Sequence, residues 1–178
     1  MGEVNHVVDH LKLEYQGVFS VREMFRMFTR WYKESPYEKG ADYASEQHTS
    51  HGKCIEYFYY PWKKQTDVVR HFMKIRMLLY DLKKVYIMVD GKKKNLDHGR
   101  IIIYLDGFVE YDYESRWLQK PLHQFIRSLF IKFMYKNYSK FMEKIMIDDT
   151  HQLYDMFERF FNMYKSYKPI HDVPHFYY

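Results

Sequence analysis

Along residues 20–33, "SVREMFRMFTRWYK", apolar side chains fall at Val21, Met24, Phe25, Phe28 and Trp31/Tyr32. That is the spacing of one helix face. Ser20 stands at the N-cap position, and Glu23 three residues on completes a capping box. Pro36 and Gly40 in "SPYEKG" end the helix. The pattern then changes. "ADYASEQHT" (41–49) and "CIEYFYY" (54–60) read as two strands joined by "SHGK"; the second is rich in β-formers and is stopped by Pro61. "TDVVRHFMKIRMLLYDL" (66–82) reads as a helix capped by Thr66, with Val68, Val69, Phe72, Met73, Ile75 and Leu79 on its buried face.

"KVYIMV" (84–89) reads as a strand turned by Asp90-Gly91, followed by "KKKNLD" as a short polar strand or extended loop. "GRIIIYL" (99–105) and "FVEYDY" (108–113) flank Asp106-Gly107, the strongest hairpin signal in the chain. A two-residue turn there pairs Leu105 with Phe108, Ile103 with Glu110 and Ile101 with Asp112. "IIIYL" is apolar on both faces and reads as a central strand. From Glu114 to about Lys168 the pattern is helical, with Pro121 in a first turn and a break at Asp148-Asp149-Thr150 that starts a last helix. The tail "PIHDVPHFYY" reads as extended.

Hairpins rather than βαβ crossovers join most of these strands. The expected fold is α+β: one antiparallel sheet of four to five strands, helices mainly on one face, and two long C-terminal helices. A chain of 178 residues is expected to form a single domain over 1–178, with mobile ends at about 1–12 and 169–178.

Composition sharpens this. Hydrophobic residues make up 47% and aromatics 20%, with 19 Tyr and 14 Phe, so the core is expected to be aromatic and Met-rich. Seven Gly and five Pro are too few for a low-complexity chain. The single cysteine, Cys54, excludes an internal disulfide framework and suits a reducing compartment. No stretch approaches the roughly 20 apolar residues of a membrane span, and the N-terminal residues lack a signal-peptide core. A cytoplasmic protein with no membrane contact is expected.

Net charge is +5, unevenly placed. Residues 61–100 hold 11 basic and 4 acidic residues, a balance of +7, whereas residues 1–60 balance at −2 and residues 101–178 at zero. A segment carrying more than the whole net charge creates a local field that selects partners.

Candidate chemistry is sparse. His48, His51 and Cys54 stand three apart, but no CxxC or HExxH accompanies them, so a metal site there is a weak candidate and no cofactor is expected. His6 and His10 in "HVVDH" are four apart, with Asp9 between; on a helix they could share a metal, but a mobile polar end is expected there. Glu110 and Asp112 alternate on one strand face and are weak catalytic candidates. Gly-rich phosphate loops and nucleophile elbows are absent, and the balance leans away from an enzyme.

The stronger signal is basic residues among aromatics: Trp62, Lys63, Lys64, Arg70, Lys74, Lys83, Lys84, then Lys92, Lys93 and Lys94, and a helical ridge of Lys132, Lys136 and Lys140. Such interleaving suits phosphate contact with base stacking. The expected function is therefore a non-enzymatic binding protein that contacts RNA, a ribonucleoprotein or an acidic protein surface. Two alternatives stand beside it. One is a small-ligand or hydrolytic domain with a pocket between sheet and helices; the other is a homo-oligomeric assembly protein using exposed aromatics.

Overall fold

A computed structural model describes residues 3–50, 52–89, 92–111 and 135–167. The described residues form a single-sheet antiparallel α+β fold with strands β1 (Glu3–Phe19), β2 (Asp42–Thr49), β3 (Gly52–Tyr59), β4 (Trp62–Lys64), β5 (Val69–Val89) and β6 (Lys92–Tyr111). Helix α1 (Val21–Glu34) follows β1, and α2 (Tyr135–Tyr164) closes the described chain. The sheet order is β1-β6-β5-β3-β2, with β4 continuing the β3 edge along β5.

Helix α1 forms as its pattern predicts. The Ser20 hydroxyl accepts the Glu23 backbone N–H at 3.2 Å, and Asp97 of β6 accepts the Val21 N–H at 3.2 Å. Two oxygens thus take N–H groups that the first turn leaves without helical partners. The Glu23 side chain does not close the expected box; its Oε2 accepts the Tyr164 hydroxyl at 2.6 Å, tying α1 to the end of α2.

The predicted helix over 66–82 is instead, from Val69 on, the first two-thirds of β5. Val69, His71, Met73, Ile75, Met77 and Leu79 are all 0% exposed, while Arg70, Phe72, Lys74, Arg76, Leu78 and Tyr80 alternate with them on the other face. That is the period of two of a strand. Every cation in the stretch falls on an even position, which a helical reading leaves unexplained. Met, Leu, Lys and Arg favour helices, but that preference is weak beside two flanking strands that offer complete backbone pairing.

Asp106-Gly107 is likewise no turn. Strand β6 runs straight through it, pairing Lys74 with Asp106 and Met73 with Gly107. The expected Leu105–Phe108 and Ile103–Glu110 pairs do not exist. Leu105 lies between Ile75 and Leu11, and Glu110 between Arg70 and Val4; Asp112 lies outside the described residues. The glycine serves the helix above it. A Cβ on Gly107 would stand 3.0 Å from both the Met146 Cε and the Thr150 Oγ1 of α2. Gly107→Val is therefore expected to cost about 1–3 kcal/mol by overpacking, read from the denaturation midpoint. An unchanged midpoint would mean that α2 does not sit on β6 here. As expected, "IIIYL" is interior, flanked by β1 and β5.

Six strands replace the expected four to five. In place of two long C-terminal helices the described residues show one, because α2 passes unbroken through Asp148-Asp149-Thr150. The Thr150 hydroxyl donates to the Met146 carbonyl at 2.8 Å, within the helix. Residues 112–134, including the stretch around Pro121, lie outside the described residues, as does the tail from 168. At the other end, Glu3 to Phe19 are paired along β6.

Both helices pack into one core with the odd-numbered face of the sheet. Met24 and Phe28 of α1, and Met146, Leu153, Phe157 and Phe161 of α2, are buried with Ile75, Met77, Ile101 and Ile103. Rings bridge the layers: Phe161 stacks on Tyr15 at 4.9 Å, and Phe28 lies 6.0 Å from Phe157 and 4.9 Å from Tyr59. None of the helices among the described residues is long and apolar enough to cross a membrane.

Candidate functional site

Strands β5 and β6 outrun the sheet. Pairing with β1 ends at Phe19–Asp97, and pairing with β3 ends at Lys53–Leu82. Beyond those points, among the described residues, Val85–Val89 and Lys92–Leu96 pair only with each other, as a two-stranded ribbon. A bulge marks its base: Asp81 adopts φ 54°, the register shifts between Tyr80 and Lys83, and Gly99 opposite leaves room for the Tyr80 carbonyl, 2.7 Å from where a Cβ would lie. Bulges increase local twist and re-aim a strand.

On one ribbon face stand Tyr86, 51% exposed, and Met88, 54% exposed. The Lys93 ammonium lies 4.1 Å from the centre of the Tyr86 ring, a cation–π contact. Lys83 and Lys94 are exposed, while Lys84 reaches back to Asp97 at 2.7 Å. Lys92 belongs to β6, and its side chain lies outside the described residues.

The remaining predicted cations do not join this tip. Lys64 pairs with Asp67 at 2.7 Å. Arg70 holds Glu110 through Nε at 2.9 Å and Nη2 at 2.5 Å, and its guanidinium lies 5.8 Å from the Trp62 ring. Glu110 is thus a partner of Arg70 on a half-buried interior strand. Lys74 stands opposite Asp106 in register. Lys140 is exposed on α2; Lys132 lies outside the described residues, as does the side chain of Lys136. For the weak metal candidates, the β2–β3 register pairs Gln47 with Cys54 and His48 with Lys53, which puts His48 and Cys54 on opposite faces. His51 lies outside the described residues.

Sequence reasoning missed a second basic surface. Arg22, Arg26, Arg30 and Lys33 project from the outer side of α1, all exposed and none in an ion pair among the described residues. The signal was there to find, since arginines at i, i+4 and i+8 opposite Met24 and Phe28 line one polar stripe.

Lys63 has gone inside. Its side chain is 9% exposed and its ammonium pairs with Asp149 of α2. The Tyr37 hydroxyl donates to the same Asp149 Oδ2 at 2.8 Å, and the Lys63 ammonium lies 4.9 Å from the Tyr37 ring centre. Burial, and then the Asp149 charge, raises the Tyr37 pKa far above its ordinary value, so the hydroxyl stays a donor. Across the strand pair from Lys63 lies His71, 0% exposed, with both ring nitrogens unpartnered among the described residues. Burial, with the Lys63 charge second, lowers its pKa to about 4, so the ring is neutral. Lys63, Tyr37 and Asp149 staple β4 and the segment after α1 to the middle of α2, with the His71 ring buried beside them.

The described residues define a single-sheet antiparallel α+β fold in which β5 and β6 extend past their neighbours as a two-stranded ribbon. No protein-family model matches the chain, and no curated protein does.

Proposed function

We propose that this chain is a non-enzymatic binding protein that contacts RNA through the β5–β6 ribbon. The ribbon's geometry carries this reading: it extends past β1 and β3 and presents Lys93 beside exposed Tyr86 and Met88 on one face, with exposed Lys94 on the other face and exposed Lys83 at its base. Lysines that neutralise phosphates release condensed counterions, and an exposed ring offers a face or edge to an unpaired base. The arginine stripe of α1 adds a second phosphate-facing surface. The filled interior between sheet and helices favours a surface role over an enclosed pocket.

A gel-shift titration against structured RNA at two salt concentrations tests this. The parent protein is expected to bind with a steep salt dependence. Changing Lys83, Lys93 and Lys94 together to Gln is expected to weaken binding and to reduce the salt slope by roughly one for each phosphate no longer neutralised. Salt-insensitive binding, or a triple variant as tight as the parent, overturns the RNA reading. Competition by polyglutamate but not by RNA points to an acidic protein partner instead.

A further inference from the structure

Far from the ribbon, at the outer edge of the sheet, β1 carries a cluster that the mobile end expected over about 1–12 does not predict. In a regular strand His6 and His10 stand roughly 13 Å apart at about 3.3 Å per residue, too far to meet at one atom. Here β1 is irregular twice, with register shifts between His6 and Val8 and between Val8 and Leu11, and His10 takes a left-handed φ of 48°. The segment between buckles, and both imidazoles turn toward Asp106, the acid of the Asp106-Gly107 pair that resembles a turn.

Ligand atoms of His6, Asp9 and Asp106 lie within 4.8 Å of one another, and the His10 ring borders the two carboxylates. His6 Nε2 lies 3.5 Å from Asp106 Oδ1 and 3.7 Å from Asp9 Oδ1. His10 Nδ1 lies 2.9 Å from that Asp106 oxygen and 2.8 Å from that Asp9 oxygen. A ring nitrogen carries at most one proton, so His10 Nδ1 cannot give each carboxylate its own hydrogen bond. The backbone N–H of His10 donates to Asp106 Oδ1 at 2.7 Å, which fixes that carboxylate in a site where its side chain is only 5% exposed. The stacking of His6 on Phe108, 4.4 Å between centres and 8° between planes, sets the other ring.

We infer that His6, Asp9 and Asp106 form a binding site for a divalent transition-metal ion of the zinc class, with the His10 ring held against the two carboxylates beside it. A tetrahedral ion bound at 2.0–2.2 Å sets neighbouring donor atoms about 3.3–3.6 Å apart, and His6 Nε2 stands 3.5 Å from the Asp106 oxygen and 3.7 Å from the Asp9 oxygen. An imidazole nitrogen with two carboxylate oxygens, and solvent in the fourth position, suits zinc or cobalt rather than calcium or magnesium, which take mainly oxygen. His10 and Asp9, with side chains 68% and 76% exposed, leave the site open to solvent. Lys74 stands opposite Asp106 across the strand pair. Bound there, the ion pins the start of β1 to β6.

Chelator-treated full-length protein is titrated with Co2+, followed by its ligand-field absorption, and with Zn2+ by calorimetry. One equivalent of each is expected to bind, with the intense tetrahedral Co2+ spectrum. His6→Ala and His10→Ala, both at exposed positions, are each expected to lower affinity by at least about tenfold while circular dichroism stays unchanged. His48→Ala, an exposed histidine elsewhere, is expected to bind as the parent does. Absence of stoichiometric binding, or a His6→Ala/His10→Ala double variant with the parent's affinity and spectrum, overturns the assignment. RNA binding by the ribbon is unaffected by either result.

Discussion

Asp149→Ala is expected to lower the unfolding free energy by about 3 kcal/mol, near the lower end of what is lost when a buried ion pair loses one partner. The cost comes from what remains. Lys63, on β4, keeps a charged ammonium at 9% exposure with no carboxylate facing it, and the Tyr37 hydroxyl loses its acceptor. Asp149 is itself 24% exposed, so water enters the gap and holds the loss below the upper limit. The reverse experiment separates the charge from the packing. Lys63→Met with Asp149→Leu replaces the pair by apolar groups of similar size and is expected to be near neutral or stabilising. Urea denaturation reads both. A loss under about 1 kcal/mol for Asp149→Ala would show that the pair is wet in solution.

The second large effect is on acid stability, through His71. Its folded pKa is about 4 against an ordinary 6.5. As pH falls below 6.5 the unfolded chain takes up a proton that the folded protein refuses. The contribution is therefore complete above pH 6.5, declines between 6.5 and 4, and changes no further below 4. A gap of this size corresponds to roughly 3 kcal/mol at 1.36 kcal/mol per pKa unit. His71→Leu is expected to flatten the stability profile between pH 6.5 and 4. It is also expected to raise stability at neutral pH, because two orphaned ring nitrogens leave the core. Denaturation midpoints at pH 7, 5.5 and 4 test this; a His71→Leu profile parallel to the parent's rejects it.

What the sequence disclosed followed from how local the cause was. Helix α1 was legible because its cap, its period and its stop lie within 20 residues, and the β2–β3 hairpin because its strands are adjacent. Strand β5 was not, because its composition suits a helix and only partners on both sides make it a strand. Asp106-Gly107 misled for a related reason. The dipeptide that closes a hairpin also suits a buried acid beside a point where a helix needs a missing side chain. The candidate sites were less legible still. Lys63 meets Asp149 across 86 positions of chain, the separation of the two numbers. His6 meets Asp106 only once the register and two bulges of β1 are set. The lysines at the end of β5 and the start of β6 were visible as a charged segment. That they flank a projecting ribbon depends on where two other strands stop.

The place of β1 has a consequence for how the chain acquires its structure. Among the described residues its one sheet neighbour is β6, with Glu3 against Tyr111 and Phe19 against Asp97. During synthesis β1, made before the other described strands, therefore waits with an open edge until β6 has emerged. Pairings of such sequence separation are slow to close. The β2–β3 hairpin and the β5–β6 ribbon, by contrast, join strands adjacent in the chain. The natural order of assembly runs from these local hairpins outward, and closure by β1 is the step that completes the floor on which α1 and α2 rest.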